Sequence, residues 1–315
     1  MQTAFKPSTE RLFAGFVDPV DGTCCVPASA TAGDIEALVR DHRLRFPLVL
    51  DERASLAAQV DASTHAPASS RFGPFCDNIL GMNWRLPNGS VVRIGERVAK
   101  TTTGYDWLRF LLHSGHRFGS PADYVLRLRP CCGTTCLAHL KLDPQQVQTA
   151  LEALIFNGWM HWWDSVDVLV ERERFAVRVA FHTVSEEVEC YEQRLREVAA
   201  MADGVLAVED CANAPVDGLP DVVLKTTPDR TLAIARDLAR EGLRCVVLYY
   251  SGIVHGFAAL KGGEPVARAV ELGAALADKL EAEGGDWHSR HISSSAPRLA
   301  EAAWLQTLEE TIMAL

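Results

Sequence analysis

The chain has 315 residues, 48% of them hydrophobic and 23% charged, a balance that excludes a disordered or fibrous protein and leaves room for two packed domains. Its formal net charge of -10, from 31 basic and 41 acidic residues, excludes nucleic acid as the main partner, because phosphate binding draws on a basic surface. The N-terminal residues lack a basic start followed by an apolar run, no stretch is long and apolar enough to span a bilayer, and the nine cysteines are scattered, so a reducing cytoplasm is the expected compartment.

In chain order, Gly22 to Val26 reads as a short strand, and Thr31 to Asp34 as a capping-box start to a helix carrying Ile35, Leu38 and Val39 on one face. Strand pieces follow between Ile79 and Leu128, among them Ser90 to Ile94 after an Asn88-Gly89 turn and the alternating Tyr124 to Leu128, with a helix near Tyr105 to Leu112. Beyond Pro130 the pattern becomes regular. A strand over Ala138 to Leu142 leads to a helix with Asp143 as N-cap and Pro144 in its first turn, then strands Val166 to Val170 and Phe175 to Phe181, a helix opened by Thr183 to Glu186, and a strand Val205 to Val208. The order then repeats: strand Asp221 to Leu224, helix from Thr227-Pro228 to Gly242, strands Leu243 to Tyr250 and Ile253 to Leu260, helix Val266 to Glu281, strand Trp287 to Ile292. Two tandem ferredoxin-like βαββαβ units would form one antiparallel sheet with helices on one face, and a helix over Pro297 to Met313 closes the chain.

Two motifs carry a family resemblance. The stretch Arg93-Ile-Gly-Glu-Arg-Val-Ala-Lys-Thr-Thr-Thr-Gly-Tyr-Asp106 resembles the R-x-G-G-x-x-x-K-N-x-T-G-Y-D-L turn of FAD-linked 2-hydroxyacid dehydrogenases and oxidases, and Phe72-Gly-Pro-Phe-Cys-Asp-Asn-Ile-Leu-Gly81 resembles their Y-G-x-x-x-D-x-V-L-G element. Tyr124 to Pro130 resembles the strand that ends the flavin domain, while Gly252 to Gly256 and Gly284-Gly285 resemble the cap of the glycolate oxidase E subunit. The fold the resemblance implies is α+β: residues 1–132 a partial vanillyl-alcohol-oxidase-type flavin domain that starts after the family's pyrophosphate-loop subdomain, 133–295 an antiparallel cap, and 296–315 a C-terminal helix.

The departures fall where the family touches its cofactor. The family's T-x-G-G-x-x-A is here Ser55 to Asp61, with Ala57 and Ala58 in place of the two glycines. Its G-S-x-G-T-L-G-I-I-T turn aligns with His113 to Ala122, where Ser114 and Gly119 are kept and His116, Arg117 and Pro121 are not. Added methyl groups and bulky side chains block close approach of a ring system, and proline removes a backbone donor. These changes lead to the expectation that the isolated chain carries no cofactor. The resemblance then implies an accessory, non-catalytic subunit working beside a flavoprotein that resembles the glycolate oxidase D subunit and an iron-sulfur subunit, and reaching the membrane only through that complex. The alternatives are an FAD-dependent subunit, with residual flavin-site positions at Ala57, Ala58, Arg97, Lys100, Ser114, Arg117 and Gly119, or a stand-alone binding protein.

Other candidates have plainer readings. His288 and His291 would face opposite sides of a strand, so no metal site is expected, and His255 reads as a strand residue rather than a general base. Cys131-Cys132-Gly133 has no C-x-x-C to complete an iron-sulfur site and reads as a domain junction. The Trp159 to Trp163 run is divided between core and subunit interface. Arg85 to Arg129 nets +5, from eight basic and three acidic residues, which suits a solvated rim, a phosphate-facing remnant or a dock for an acidic partner.

Overall fold

A computed structural model describes residues 15–95, 106–114, 116–131, 133–156, 161–211, 217–258, 271 and 286–289. The first layer is a five-stranded antiparallel sheet with helices packed on it. Its opening strands are β1 (Phe16–Asp18) and β2 (Thr23–Pro27), and α1 (Ala32–Val39) follows with the capping box expected at Thr31 and Asp34: Thr31 Oγ1 accepts from the Asp34 N–H at 3.2 Å while Asp34 accepts from the Thr31 N–H at 2.9 Å. Next come β3 (Leu44–Arg45), α2 (Leu56–Ala62), and the single turns α3 (Ser69–Phe72) and α4 (Phe75–Asn78). Strands β4 (Ile79–Arg85) and β5 (Val91–Gly95), helix α5 (Trp107–Leu112), and strands β6 (Ser120–Arg127) and β7 (Arg129–Pro130) complete this half. The sheet order is β1-β2-β6-β4-β5, and β3 pairs separately with β7. Its core gathers Val26, Ile35, Leu48, Leu56, Phe75, Met82, Trp84, Phe118 and Tyr124, all removed from water; burial of such side chains contributes roughly 1.5 to 3 kcal/mol each.

The second half is one eight-stranded antiparallel sheet. Strand β8 (Thr134–Leu142) is followed by α6 (Val147–Leu151), whose last turn widens to a π-helix over Glu152–Phe156. Then come β9 (Ser165–Glu171), β10 (Arg174–Thr183), α7 (Val188–Met201) and β11 (Val205–Cys211), and after these β12 (Val222–Lys225), α8 (Pro228–Arg240), β13 (Arg244–Leu248), β14 (Ile253–Phe257) and β15 (Asp286–Ser289). The order across the sheet is β11-β8-β10-β9-β13-β14-β12-β15. Alternation along β10 decides which residues meet the helices: Val177, Val179 and Phe181 join the core with Leu151, Leu195, Val198 and Leu238, while Arg178 turns to the opposite face.

Three expectations change here. Asp143 and Pro144 do not open a helix: residues 144–146 form a turn and α6 begins at Val147, so the chain leaves the strand through a turn before its apolar face can reach the sheet. Trp163 is core, 1% exposed, with its indole N–H donated to the Leu154 carbonyl at 3.1 Å, and Trp162 packs on Tyr191 beside it; Trp159 lies outside the described residues. The helices expected over Val266–Glu281, apart from Glu271, and Pro297–Met313 also lie outside them. Among the described residues no helix is long and apolar enough to cross a membrane.

The second face of the larger sheet carries a buried charge network that holds a segment in contact with the first half. Arg178 Nε donates to Asp167 at 2.6 Å, and its two terminal nitrogens donate to Asp217 at 2.9 and 2.6 Å; Arg244 donates to the same carboxylate at 2.6 Å. Asp217 opens a segment whose next residue, Gly218, donates its N–H to the Leu50 carbonyl at 3.0 Å. Burial would raise the Asp217 carboxyl, but the hydrogen bonds and charges of Arg178 and Arg244 hold it below its ordinary value; at Asp167 burial prevails and the carboxyl rises to about 6.

Candidate functional site

The seam between the two halves collects imidazoles, basic groups and carboxylates. It begins where α2 ends. Ser63 donates its hydroxyl to the His65 carbonyl at 2.9 Å, and its Oγ lies 2.9 Å from His255 Nε2, which therefore acts as the donor. His255, on β14 and 1% exposed, is thus a buried strand residue that clamps the larger sheet to the loop after α2.

His65 is the chemical centre of this loop. Thr64 Oγ1 lies 2.7 Å from its Nδ1, and its electrostatic neighbours come from three other elements: Lys225 on β12, Asp77 on α4, and His113 at the end of α5. Burial first, then the Lys225 charge, push the His65 imidazole down to about 4, so it is neutral at physiological pH and can accept a proton. His113 is lowered chiefly by burial as well. Asp77 is held in a close ion pair by Arg109, which also reaches Asp106 at 3.2 Å. Burial and the adjacent Asp77 charge push the Cys76 thiol up to about 11, which keeps it protonated and unreactive.

The positions singled out from the sequence group along the adjoining edge. Ala57 and Ala58 lie in the first turn of α2, where N–H groups are already engaged: Leu56 donates to Ala30 at 2.7 Å, Ala57 to Ala28 at 3.0 Å, and Ala58 to the Ser55 hydroxyl at 3.2 Å. The turn after α5 comes to the same helix through His116, whose Nε2 pairs with Asp61 at 2.8 Å from a left-handed backbone, φ 64. Ser114 donates to the Leu111 carbonyl at 2.7 Å, and Arg117 is exposed. Gly119 serves the fold: at φ +124, an added Cβ would stand 2.1 Å from the Arg85 carbonyl and 2.7 Å from the Trp84 indole nitrogen. Arg97 and Lys100 lie outside the described residues. Residues 55–61 and 113–119 are therefore neighbours, as a shared ligand edge requires. His113 opens the altered family turn and Arg109 belongs to the basic run, but His65 and Lys225 carry no motif, although the polar Ser63-Thr64-His65 triplet directly after a helix is a visible cue.

Toward a flavin the donor set fits at the ring end. The first turn of α2 has no spare N–H for a pyrophosphate, but the imidazole of His113 suits the polar edge of an isoalloxazine, which gains negative charge on reduction. His113 is the residue that would hold that edge, which leaves His65 and Lys225 for a substrate. Among the described residues no group of three or more His, Cys, Asp or Glu could hold a metal ion.

Comparison with known proteins points the same way. Residues 9–95 match the family model of an FAD binding domain. Over 145 residues the chain is 26% identical to an uncharacterized FAD-linked oxidoreductase of Mycobacterium tuberculosis, covering 45% of this chain and 31% of that protein. It is 28% identical over 96 residues to the mitochondrial D-lactate dehydrogenase (cytochrome) of Arabidopsis thaliana, covering 30% of this chain and 17% of that one. It is 34% identical over 91 residues to a D-2-hydroxyglutarate–pyruvate transhydrogenase of Saccharomyces cerevisiae, covering 28% and 18%. The chain thus spans 31% or less of the length of these relatives. In fold it resembles an alkyldihydroxyacetonephosphate synthase, with a TM-score of 0.59 at 11% identity, covering 98% of this chain and 66% of that one. The FAD binding domain match overturns the expectation of a chain without cofactor: the lost glycines mark a changed site, and the family signature across residues 9–95 points to FAD. The chain thus carries an FAD binding domain signature on an α+β fold of the vanillyl-alcohol-oxidase type, and its relatives are FAD-linked oxidoreductases, hydroxyacid dehydrogenases among them.

Proposed function

We propose that this chain is an FAD-binding subunit of a 2-hydroxyacid dehydrogenase, and that the seam around His65 binds the substrate. The observation that carries this reading is the half-buried His65 imidazole, held by Thr64 at 2.7 Å, neutral at physiological pH and within the electrostatic reach of Lys225, Asp77 and His113. When bound, FAD supplies the acceptor for a hydride from the substrate carbon. The chain's own residues divide the remaining work. Lys225 offers a compact positive charge to a carboxylate, and the neutral His65 accepts the hydroxyl proton. A bound carboxylate would offset the Lys225 charge and so raise the His65 basicity toward the range where a general base is efficient. Ser63 and His255 fix the loop that carries His65.

The resemblance of Gly252 to Gly256 to the glycolate oxidase E subunit supports a place in a flavin and iron-sulfur assembly. The strand and helix order after Pro130 supports reading the larger sheet as two ferredoxin-like units, with the domain boundary near Cys132. The test is direct. Purified full-length protein should quench FAD fluorescence on titration, and the loaded protein, with whatever co-purifies from its native host, should bleach near the flavin band under anaerobic glycolate or D-lactate. His65→Gln should keep FAD and slow bleaching about 10²- to 10⁴-fold. Bound flavin that no 2-hydroxy acid bleaches, or a His65→Gln protein as fast as wild type, would refute the reading.

A further inference from the structure

A second cluster of basic groups shares no residue with the His65 set. Strands β3 and β7 pair so that Arg45 stands directly opposite Arg129, an arrangement of like charges that costs stability in a two-stranded ladder. Arg71 reaches the same place from α3, and all three guanidinium groups surround one ring: their Cζ atoms are 5.9, 5.1 and 5.3 Å from the Phe72 centroid for Arg45, Arg71 and Arg129. The carboxylate that answers them is Asp164, 1% exposed, which takes Arg45 at 2.6 Å and Arg71 at 2.6 Å. Arg129 donates to a neutral acceptor, Asn78 Oδ1, at 3.1 Å.

The balance of charge and hydrogen bonding around Phe72 is incomplete. Among the described residues, Arg45 Nε and His182 Nε2 are buried with no hydrogen-bond partner, and buried polar groups are rarely left so. Burial first, then the charges of Arg127, Arg71 and Arg45, hold the Arg129 guanidinium below its ordinary value, and burial with the Arg45 charge lowers His182. Access remains from one side, since the side chains of Arg71 and Arg45 keep 33% and 20% of their exposure.

We propose that Arg45, Arg71 and Arg129, gathered round the Phe72 ring at the junction of the two sheets, form a binding site for a small oxyanion of carboxylate or phosphate chemistry. Guanidinium groups present paired N–H donors that match two oxygens of such an anion, and the ring holds their planes in place. The anion would relieve the Arg45–Arg129 opposition and complete the bonding that Asp164 leaves undone. This site does not depend on the flavin reading, because none of its residues belongs to the His65 set.

The experiment titrates full-length protein with inorganic phosphate and with malonate, against sodium chloride at matched ionic strength, by calorimetry and thermal shift. Both oxyanions should stabilise the protein where chloride does not, and the stronger of the two identifies the source as phosphoryl or carboxylate. Arg129→Gln, which gives up the Asn78 hydrogen bond and the stacking on Phe72 but no ion pair, should weaken binding at least tenfold. Asp164→Asn, which removes the internal competitor, should tighten it several-fold; if that variant does not fold, Arg71→Lys replaces it and should weaken binding at least fivefold, since an ammonium cannot present the paired donors. Equal effects of chloride and phosphate, or wild-type affinity in Arg129→Gln, would overturn the proposal.

Discussion

Replacing Asp217 by asparagine removes one charge without changing shape, and the buried network around Arg178 should register that loss. In the native protein Asp217 accepts two hydrogen bonds from Arg178 and one from Arg244, and its side chain is 8% exposed. With the charge gone, Arg178, only 5% exposed, is left with Asp167, and Arg244 loses its carboxylate. Breaking a buried pair from one side costs about 3 to 5 kcal/mol; since an asparagine oxygen can still accept one bond, the lower end, ~3 kcal/mol, is expected. That corresponds to a melting temperature lower by roughly 6 °C. Urea denaturation followed by tryptophan fluorescence measures it, and the triple variant Asp167→Leu, Arg178→Met, Asp217→Leu should recover part of the loss, because the one charge then left without its carboxylate, Arg244, is 32% exposed to water. An Asp217→Asn protein within ~0.5 kcal/mol of wild type would refute the view that this network holds the connecting segment to the sheet.

Further outcomes follow from the same geometry. His65 has its folded value pushed down to about 4 from 6.5, so the unfolded chain binds its proton more readily; the stabilisation is complete above about pH 6.5 and is lost as pH falls toward 4, by about 2 kcal/mol after allowance for partial exposure, and His65→Gln should flatten this acid limb of the melting curve. Gly119→Ala should destabilise by 2 kcal/mol or more, on the order expected when a left-handed backbone and a carbonyl clash coincide, and normal stability would show that the turn has room to move. Ser63→Ala removes the acceptor for His255 and should cost about 1 to 2 kcal/mol by denaturation, with weaker quenching of added FAD.

Much of the local structure was legible in the sequence because it depends on near neighbours. Thr31 and Asp34 satisfy each other's backbone groups within one turn, Thr227-Pro228 fits the start of α8, and the alternation in Phe175 to Phe181 sets the two faces of β10. The flavin-family relationship was legible from the Phe72 and Arg93 motifs, and the FAD binding domain match agrees with it. The cofactor expectation failed for a physical reason: Ala57 and Ala58 were weighed as lost contacts, whereas their backbone N–H groups serve the packing of α2, so their identity says little about what else the seam can hold.

What the sequence determined by itself was local, such as the α1 capping box, the Pro228 start of α8, the alternation of β10 and the family motifs, since periodicity, caps and turn residues act over a few positions. The electrostatic coupling of His65 to Lys225, the bond of Ser63 with His255, and the meeting of Arg45 with Arg129 and Arg71 were decided only by the tertiary structure. Ser63 and His255 are 192 residues apart, and no local pattern records such a contact. It arises when the second face of the larger sheet is pressed onto the first half, and burial there turns ordinary histidines, aspartates and arginines into groups with shifted protonation and specific bonds.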